Sequence, residues 1–293
     1  LFIVYMKPIF EEKGVLGIID GYLNNYILKE RPYIYLIHGH DVPLDKVINK
    51  ESFYGKFDNI VNITKKYQVD ITKENLLYSV KGDHLNILKF LCNLCPIKLF
   101  GGFGYGNILK VACKGRNIDI VKFVISQRPH TSYMYDIWHY EKDILYECII
   151  PLVKEGYENI IKCIFVDGIF VSKRFIKNKA LYEASKYGYT SLVRFLCTKG
   201  ANIRSRSDSS LIKASSNGHL ETVKFLVSKG ADVRTQKNEA IIRASEFGHL
   251  DIVRFLHFKG ARIRARNDRI AKVALITGHL HIYKYVSDII YGK

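Results

Sequence analysis

Leu211-Ile212-Lys213-Ala214-Ser215-Ser216-Asn217-Gly218-His219-Leu220-Glu221-Thr222-Val223-Lys224-Phe225-Leu226 returns as Ile241-Ile242-Arg243-Ala244-Ser245-Glu246-Phe247-Gly248-His249-Leu250-Asp251-Ile252-Val253-Arg254-Phe255-Leu256. The offset is about 30 residues without a gap, a period that marks stacked repeats. Each copy runs on into Lys-Gly-Ala, as Lys229-Gly230-Ala231 and Lys259-Gly260-Ala261. Leu211 and Ala214 form an apolar edge, Gly218 can take the left-handed conformation, and Leu220, Val223, Phe225, Leu226 and Val227 follow at helical spacing. The pattern predicts two short helices per unit. Helices of about 8 to 10 residues fall below the roughly 12 to 15 at which isolated helices become marginal in water. A unit of this kind must therefore stack on its neighbours.

More worn copies flank this core at Leu76 to Leu91, Leu109 to Val124, Ile149 to Ile164, Leu181 to Leu196 and Ala271 to Val286. The reading is seven units over residues 73–293, preceded by a degenerate repeat at 51–72 in which Asn59 to Ile63 and Val69 to Ile71 resemble a second half. Residues 1–50 show no clear copy and read as an N-terminal cap or degenerate segment. Val15 to Leu28 and Tyr33 to Ile37 are apolar enough to pack as helices over the first repeat.

Composition narrows the class. An apolar share of 48% over 293 residues argues against disorder. No apolar run reaches the roughly 18 to 20 residues needed to span a bilayer. Six unevenly spaced cysteines with no signal peptide ahead of them suit a reducing compartment, so an intracellular location is expected, in a cytoplasm or a host cytoplasm, without secretion. The formal charge of +17 is uneven: from Ser191 onward 19 Lys plus Arg stand against 8 Asp plus Glu, giving +11 and leaving +6 for the rest. A basic C-terminal third points to acidic proteins or phosphate backbones as partners.

The motif Ala-Ser-x-x-Gly-His-Leu-x-x-Val-Lys/Arg-Phe-Leu, followed by Lys-Gly-Ala, resembles the ankyrin repeat over about Asn75 to Val286. The regular spacing and the richness in Ile, Asn, Lys and Tyr look most like the ankyrin families of giant amoebal viruses. The resemblance implies an all-α, ankyrin-type solenoid of stacked helix pairs. It also implies a non-enzymatic scaffold that needs no cofactor, is monomeric, and binds another protein, for a viral protein a host factor, across its first helices and short loops. Two departures matter. Where the family has Thr-Pro-Leu-His, this chain has Ser209-Ser210-Leu211-Ile212 and Glu239-Ala240-Ile241-Ile242. The connection from Gly230 to Ile241 is shorter than the family's finger and lacks its Asp-Gly turn, so short loops are expected instead of β-hairpin fingers.

Several motifs suggest chemistry and yield to plainer readings. His84, Asn117, Tyr157, Tyr189, His219, His249 and His279 share one register, one per repeat. Neighbouring helices pack roughly 8 to 10 Å apart, whereas zinc ligands lie about 2 Å from one ion. A structural role at the turn is expected, with no metal or catalytic site. Cys92-Asn93-Leu94-Cys95 has no second pair to complete a zinc site. Gly101 to Gly106 lacks the Gly-Lys-Ser/Thr ending of a phosphate loop and reads as a connector.

The insertion at 129–143 carries Tyr133, Tyr135, Trp138 and Tyr140. Such aromatics either fold back over a poorly matched repeat pair or form a partner contact. Basic residues recur as Arg194, Lys224, Arg254 and Lys284; as Lys199, Lys229 and Lys259; and as Arg204, Arg234 and Arg264, with Arg206 and Arg266 alongside. Like charges about 10 Å apart repel by only about 0.4 kcal/mol in water, so duplication copies them cheaply. The candidate partner contacts are therefore the four aromatics with Arg204, Arg206, Arg234, Arg264 and Arg266. Nucleic-acid binding through the basic repeats is the alternative.

Overall fold

The structure, a computed structural model, describes residues 34–37, 40–67, 69–94, 103–127, 147–166 and 174–292. The chain divides into two compact units, Leu1–Ile137 and Trp138–Lys293.

The first unit contains an antiparallel ribbon, β1 (Ile34–Ile37) and β2 (His40–Pro43), with Ile34 opposite Pro43 and Ile37 opposite His40. The expectation of a helix over Tyr33 to Ile37 is therefore corrected. A short apolar run cannot be assigned by periodicity, and its Ile and Tyr residues favour extended backbone. Val15 to Leu28 lies outside the described residues. Helix α1 (Leu44–Phe53) packs against the ribbon and pairs with α2 (Phe57–Lys66). The next pairs are α3 (Lys73–Lys81) with α4 (Leu85–Leu94), and α5 (Phe103–Gly115) with α6 (Ile118–Ser126).

The first pair thus opens at Leu44, within the segment read as a cap, with Leu44, Val47 and Ile48 as its buried face. Buried Asn75 ties α3 to α1: its Nδ2 donates to the Asp45 carbonyl at 2.9 Å and to Asn49 Oδ1 at 2.8 Å. Its Oδ1 accepts from Thr72 N at 2.7 Å, which completes a capping box. Residues Phe103 to Gly106 belong to α5, which corrects the connector reading for that part, while Gly101 and Gly102 lie outside the described residues. A first turn tolerates glycine because fewer intrahelical bonds form there.

The second unit holds five pairs among the described residues. Helix α7 (147–155) precedes α8 (Glu158–Val166), and α9 (Arg174–Lys186) pairs with α10 (Thr190–Thr198). The remainder are α11 (Ser205–Ser216) with α12 (Leu220–Ser228), α13 (Thr235–Glu246) with α14 (Leu250–Phe258), and α15 (Ala265–Ile276) with α16 (Leu280–Tyr291). From α9 onward each first helix packs along the next, and the second helices touch more lightly. The small Ala180, Ala184, Ala214, Ala240, Ala244 and Ala274 are buried, which lets the first helices approach closely. Beneath them lie Leu192, Val193, Leu196, Val223, Leu226, Ile252, Val253, Leu256, Ile282 and Val286.

No strand separates the pairs of this unit among the described residues; the expected short loops are present. They contain something the sequence reading does not anticipate. Helix α11 begins with Arg206, Ser207 and Asp208 at φ 51, 53 and 58°, and α13 with Gln236, Lys237 and Asn238 at 46, 59 and 67°. Each is one turn of left-handed helix made without glycine.

Candidate functional site

Three kinds of rung recur along the second unit from α9 to α16. In the first, a turn imidazole donates from Nε2 to the last carbonyl of the preceding first helix. His219 reaches Lys186 O at 2.9 Å, His249 reaches Ser216 O at 3.1 Å, and His279 reaches Glu246 O at 3.0 Å. His84 does the same to Phe53 O at 3.2 Å in the first unit, and Tyr189 donates its hydroxyl to Lys154 O at 3.3 Å. Asn117 instead caps α6, accepting from the backbone of Asp119 and Ile120. Each imidazole lies over the glycine of the preceding turn. A Cβ on Gly218 would sit 2.6 Å from His249 Cε1, and one on Gly188 would overlap the ring of His219. At five of its seven positions the shared register thus satisfies carbonyls at or near helix ends.

The second rung holds the left-handed turns. Asn178, Asp208 and Asn238 accept through Oδ1 from the backbone N–H of Asn202, Asp232 and Arg262 at 2.7, 3.2 and 2.7 Å. Asp208 and Asn238 are buried. Asn and Asp are the non-glycine residues best suited to this conformation. Thr235 Oγ1 adds a bond to Ser207 O at 3.0 Å.

The third rung uses residues singled out as partner contacts. Arg204 pairs with Asp232 at 3.4 Å and Asp208 at 3.5 Å; Arg234 Nε donates to Gly260 O at 2.8 Å; Arg264 Nη2 donates to Ile290 O at 2.5 Å. Cations at these helix C-termini also face the negative end of the helix dipole. Each of these arginines ties the start of a pair's first helix to the end of that pair's second helix. Arg206 is different: it is exposed on its turn, beside a shallow pocket lined by Phe175, Lys179 and Tyr182. Arg266 falls in the first turn of α15, its side chain outside the described part. Tyr133, Tyr135, Trp138 and Tyr140 lie outside the described residues, as does Cys95.

The outer cations have aromatic partners that the sequence reading does not foresee. Arg194 lies 4.5 Å from the Phe225 ring centre, Arg254 lies 5.3 Å from Tyr285, and Lys199 lies 5.5 Å from Phe195. Burial pushes the Cys197 thiol up to about 11, with Lys229 pulling the other way, so it is protonated and a poor nucleophile at neutral pH. Among the described residues no three His, Cys, Asp or Glu side chains gather as a metal site would need. No helix there is long and apolar enough to cross a membrane. Stacked units line up like residues in rows, and rows suit recognition of another macromolecule better than convergent chemistry.

Comparison with curated proteins finds no match. Residues 149–237 and, overlapping them, 181–267 match a family model described as ankyrin repeats (3 copies). The paired helices of the second unit thus form an all-α solenoid of the ankyrin type.

Proposed function

We propose that this chain is a non-enzymatic scaffold whose second unit binds another protein along its first helices and the turns that precede them. Ankyrin repeats generally mediate protein–protein interaction. The observation that carries the reading is the pair of left-handed turns. They hold Arg206, Ser207, Gln236 and Lys237 exposed in matching positions, while Asp208 and Asn238 are anchored in the interior. Side chains fixed before binding lose less freedom on association. The net charge of +17 favours an acidic partner. The likeness to repeat families of giant amoebal viruses makes a host protein the first partner to seek, and Tyr133, Tyr135, Trp138 and Tyr140 are proposed as further contact residues.

The test pairs affinity capture with a charge reversal on the turns. Arg206→Glu with Lys237→Glu is expected to weaken capture of the recovered partner by about tenfold or more without lowering Tm, since neither side chain supports the core. Undiminished capture would move the contact off these turns. A second reading, electrostatic binding of nucleic acid, is favoured by the exposed Arg194, Lys224, Arg254 and Lys284. Retention of a nonspecific duplex that falls steeply with salt supports it, and no retention at low salt removes it.

A further inference from the structure

Between the first helices α9 and α11 lies the cleft beside Arg206. Phe175 and Tyr182 give it aromatic walls, Lys179 and Arg206 bring positive charge, and Ser209 completes the α11 side. It encloses about 40 Å³, room for about three waters. The charge it presents is one-sided. Lys179 Nζ lies 2.8 Å from Glu183 and 4.9 Å from the Tyr182 ring centre, so the ammonium is held in place. Arg206 is exposed and has no ion pair or hydrogen bond among the described residues. Glu183 and Asp208 are the only acids of these two helices, and both are buried and engaged by Lys179 and Arg204. One repeat later the same positions are used differently. Thr235 and Gln236 stand where Ser205 and Arg206 do, and both side chains reach back to Ser207 O, at 3.0 and 3.3 Å. Glu239 stands where Ser209 does and pairs with Arg243. Ser209 is thus the small member of a register otherwise filled by Lys179 and Glu239.

From this geometry we propose that the cleft receives a carboxylate of the bound protein, with Arg206 as its ion-pair partner and an adjoining apolar side chain laid against Phe175, which is 49% exposed. A guanidinium suits a planar carboxylate, to which it donates two parallel N–H bonds. Lys179 adds charge from the opposite helix, and the aromatic walls keep water from one side of the pair, which strengthens it. The proposal deepens the reading that a protein lies along these first helices and turns, and rests on it. It adds the chemistry that one junction selects: an acid next to an apolar residue, taken at α9–α11 and not at α11–α13, where Glu239 stands in the equivalent place.

The probe is the peptide acetyl-Ile-Glu-Ile-amide, titrated to millimolar concentration into the isotope-labelled full chain. Binding is followed by NMR through the Arg206 Nε–H and the backbone amides of 205–209. One twin carries Gln in place of Glu, and a second, acetyl-Ile-Ile, ends in a free carboxylate. Saturable shifts are expected with a carboxylate peptide and none with the Gln twin. The tighter of the two carboxylate peptides tells whether an acidic side chain or a chain end is the source. Arg206→Ala and Ser209→Leu each weaken binding by about tenfold or more. Ser209→Leu fills the cleft without altering charge, and Arg206→Ala touches only an exposed side chain, so it serves even where the larger residue impairs folding. Lys237→Ala, on the neighbouring turn, leaves the affinity unchanged. No shift with either carboxylate peptide overturns the proposal. So does unchanged affinity in Arg206→Ala, or an equal loss in Lys237→Ala, since the contact is then diffuse surface charge. In each of those cases the wider reading still stands if the captured protein responds to Arg206→Glu with Lys237→Glu, and it falls as well if capture is undiminished.

Discussion

A turn glycine in this protein answers to two demands, and the structure separates them. Gly218 and Gly278 have nearly the same φ, 80 and 78°, but only Gly218 has an imidazole against its α-carbon. Alanine at either position incurs the strain of a left-handed residue with a Cβ, about 1 kcal/mol. At Gly218 the His249 ring must also move, for about 1 to 2 kcal/mol more. Urea unfolding of Gly218→Ala and Gly278→Ala is expected to show that gap, and His249→Ala in the Gly218→Ala background should close part of it. Equal losses would mean that the ring yields freely. The histidines were legible as structural residues from their spacing alone; the carbonyl each one reaches was not. Lys186, Ser216 and Glu246 share no side-chain chemistry, because only their backbone oxygens are used.

At the scale of the element, the unusual feature is a left-handed turn built from Arg, Ser and Asp or from Gln, Lys and Asn. Such a residue costs roughly 1 to 2 kcal/mol relative to ordinary helix. Lys237 is exposed and contributes little packing, so it reports this cost cleanly. Lys237→Gly is expected to exceed Lys237→Ala in stability by about 0.5 to 1 kcal/mol, and Lys237→Val to fall below both. The denaturation midpoints of the three variants give the order, and Gly at or below Ala would contradict the assigned φ. The paired helices themselves were readable because apolar residues recur at helical spacing and glycine closes each turn. Asn178, Asp208 and Asn238 also share a register, but without the fold nothing separates a polar residue that anchors a turn from one that faces water. For the same reason Arg204, Arg234 and Arg264 looked like free surface charge. The ribbon at Ile34 to Pro43 lacked even periodicity, being too short to show any.

For the whole molecule, the chain divides between Ile137 and Trp138 into two compact units. The second unit has its own buried face on every helix from α8 to α14 and carries all three kinds of rung. Residues 138–293 expressed alone are therefore expected to keep a helical circular-dichroism spectrum and to unfold in one cooperative transition. A spectrum without helix, or gradual melting, would show that the first unit is required. At the three junctions from α9 to α16 each later pair offers an imidazole and each earlier turn a glycine to receive it, so those junctions are chemically equivalent. A gene segment for one whole unit could be excised or copied in frame without editing either neighbour. The array can thus change length by recombination while its joints stay the same.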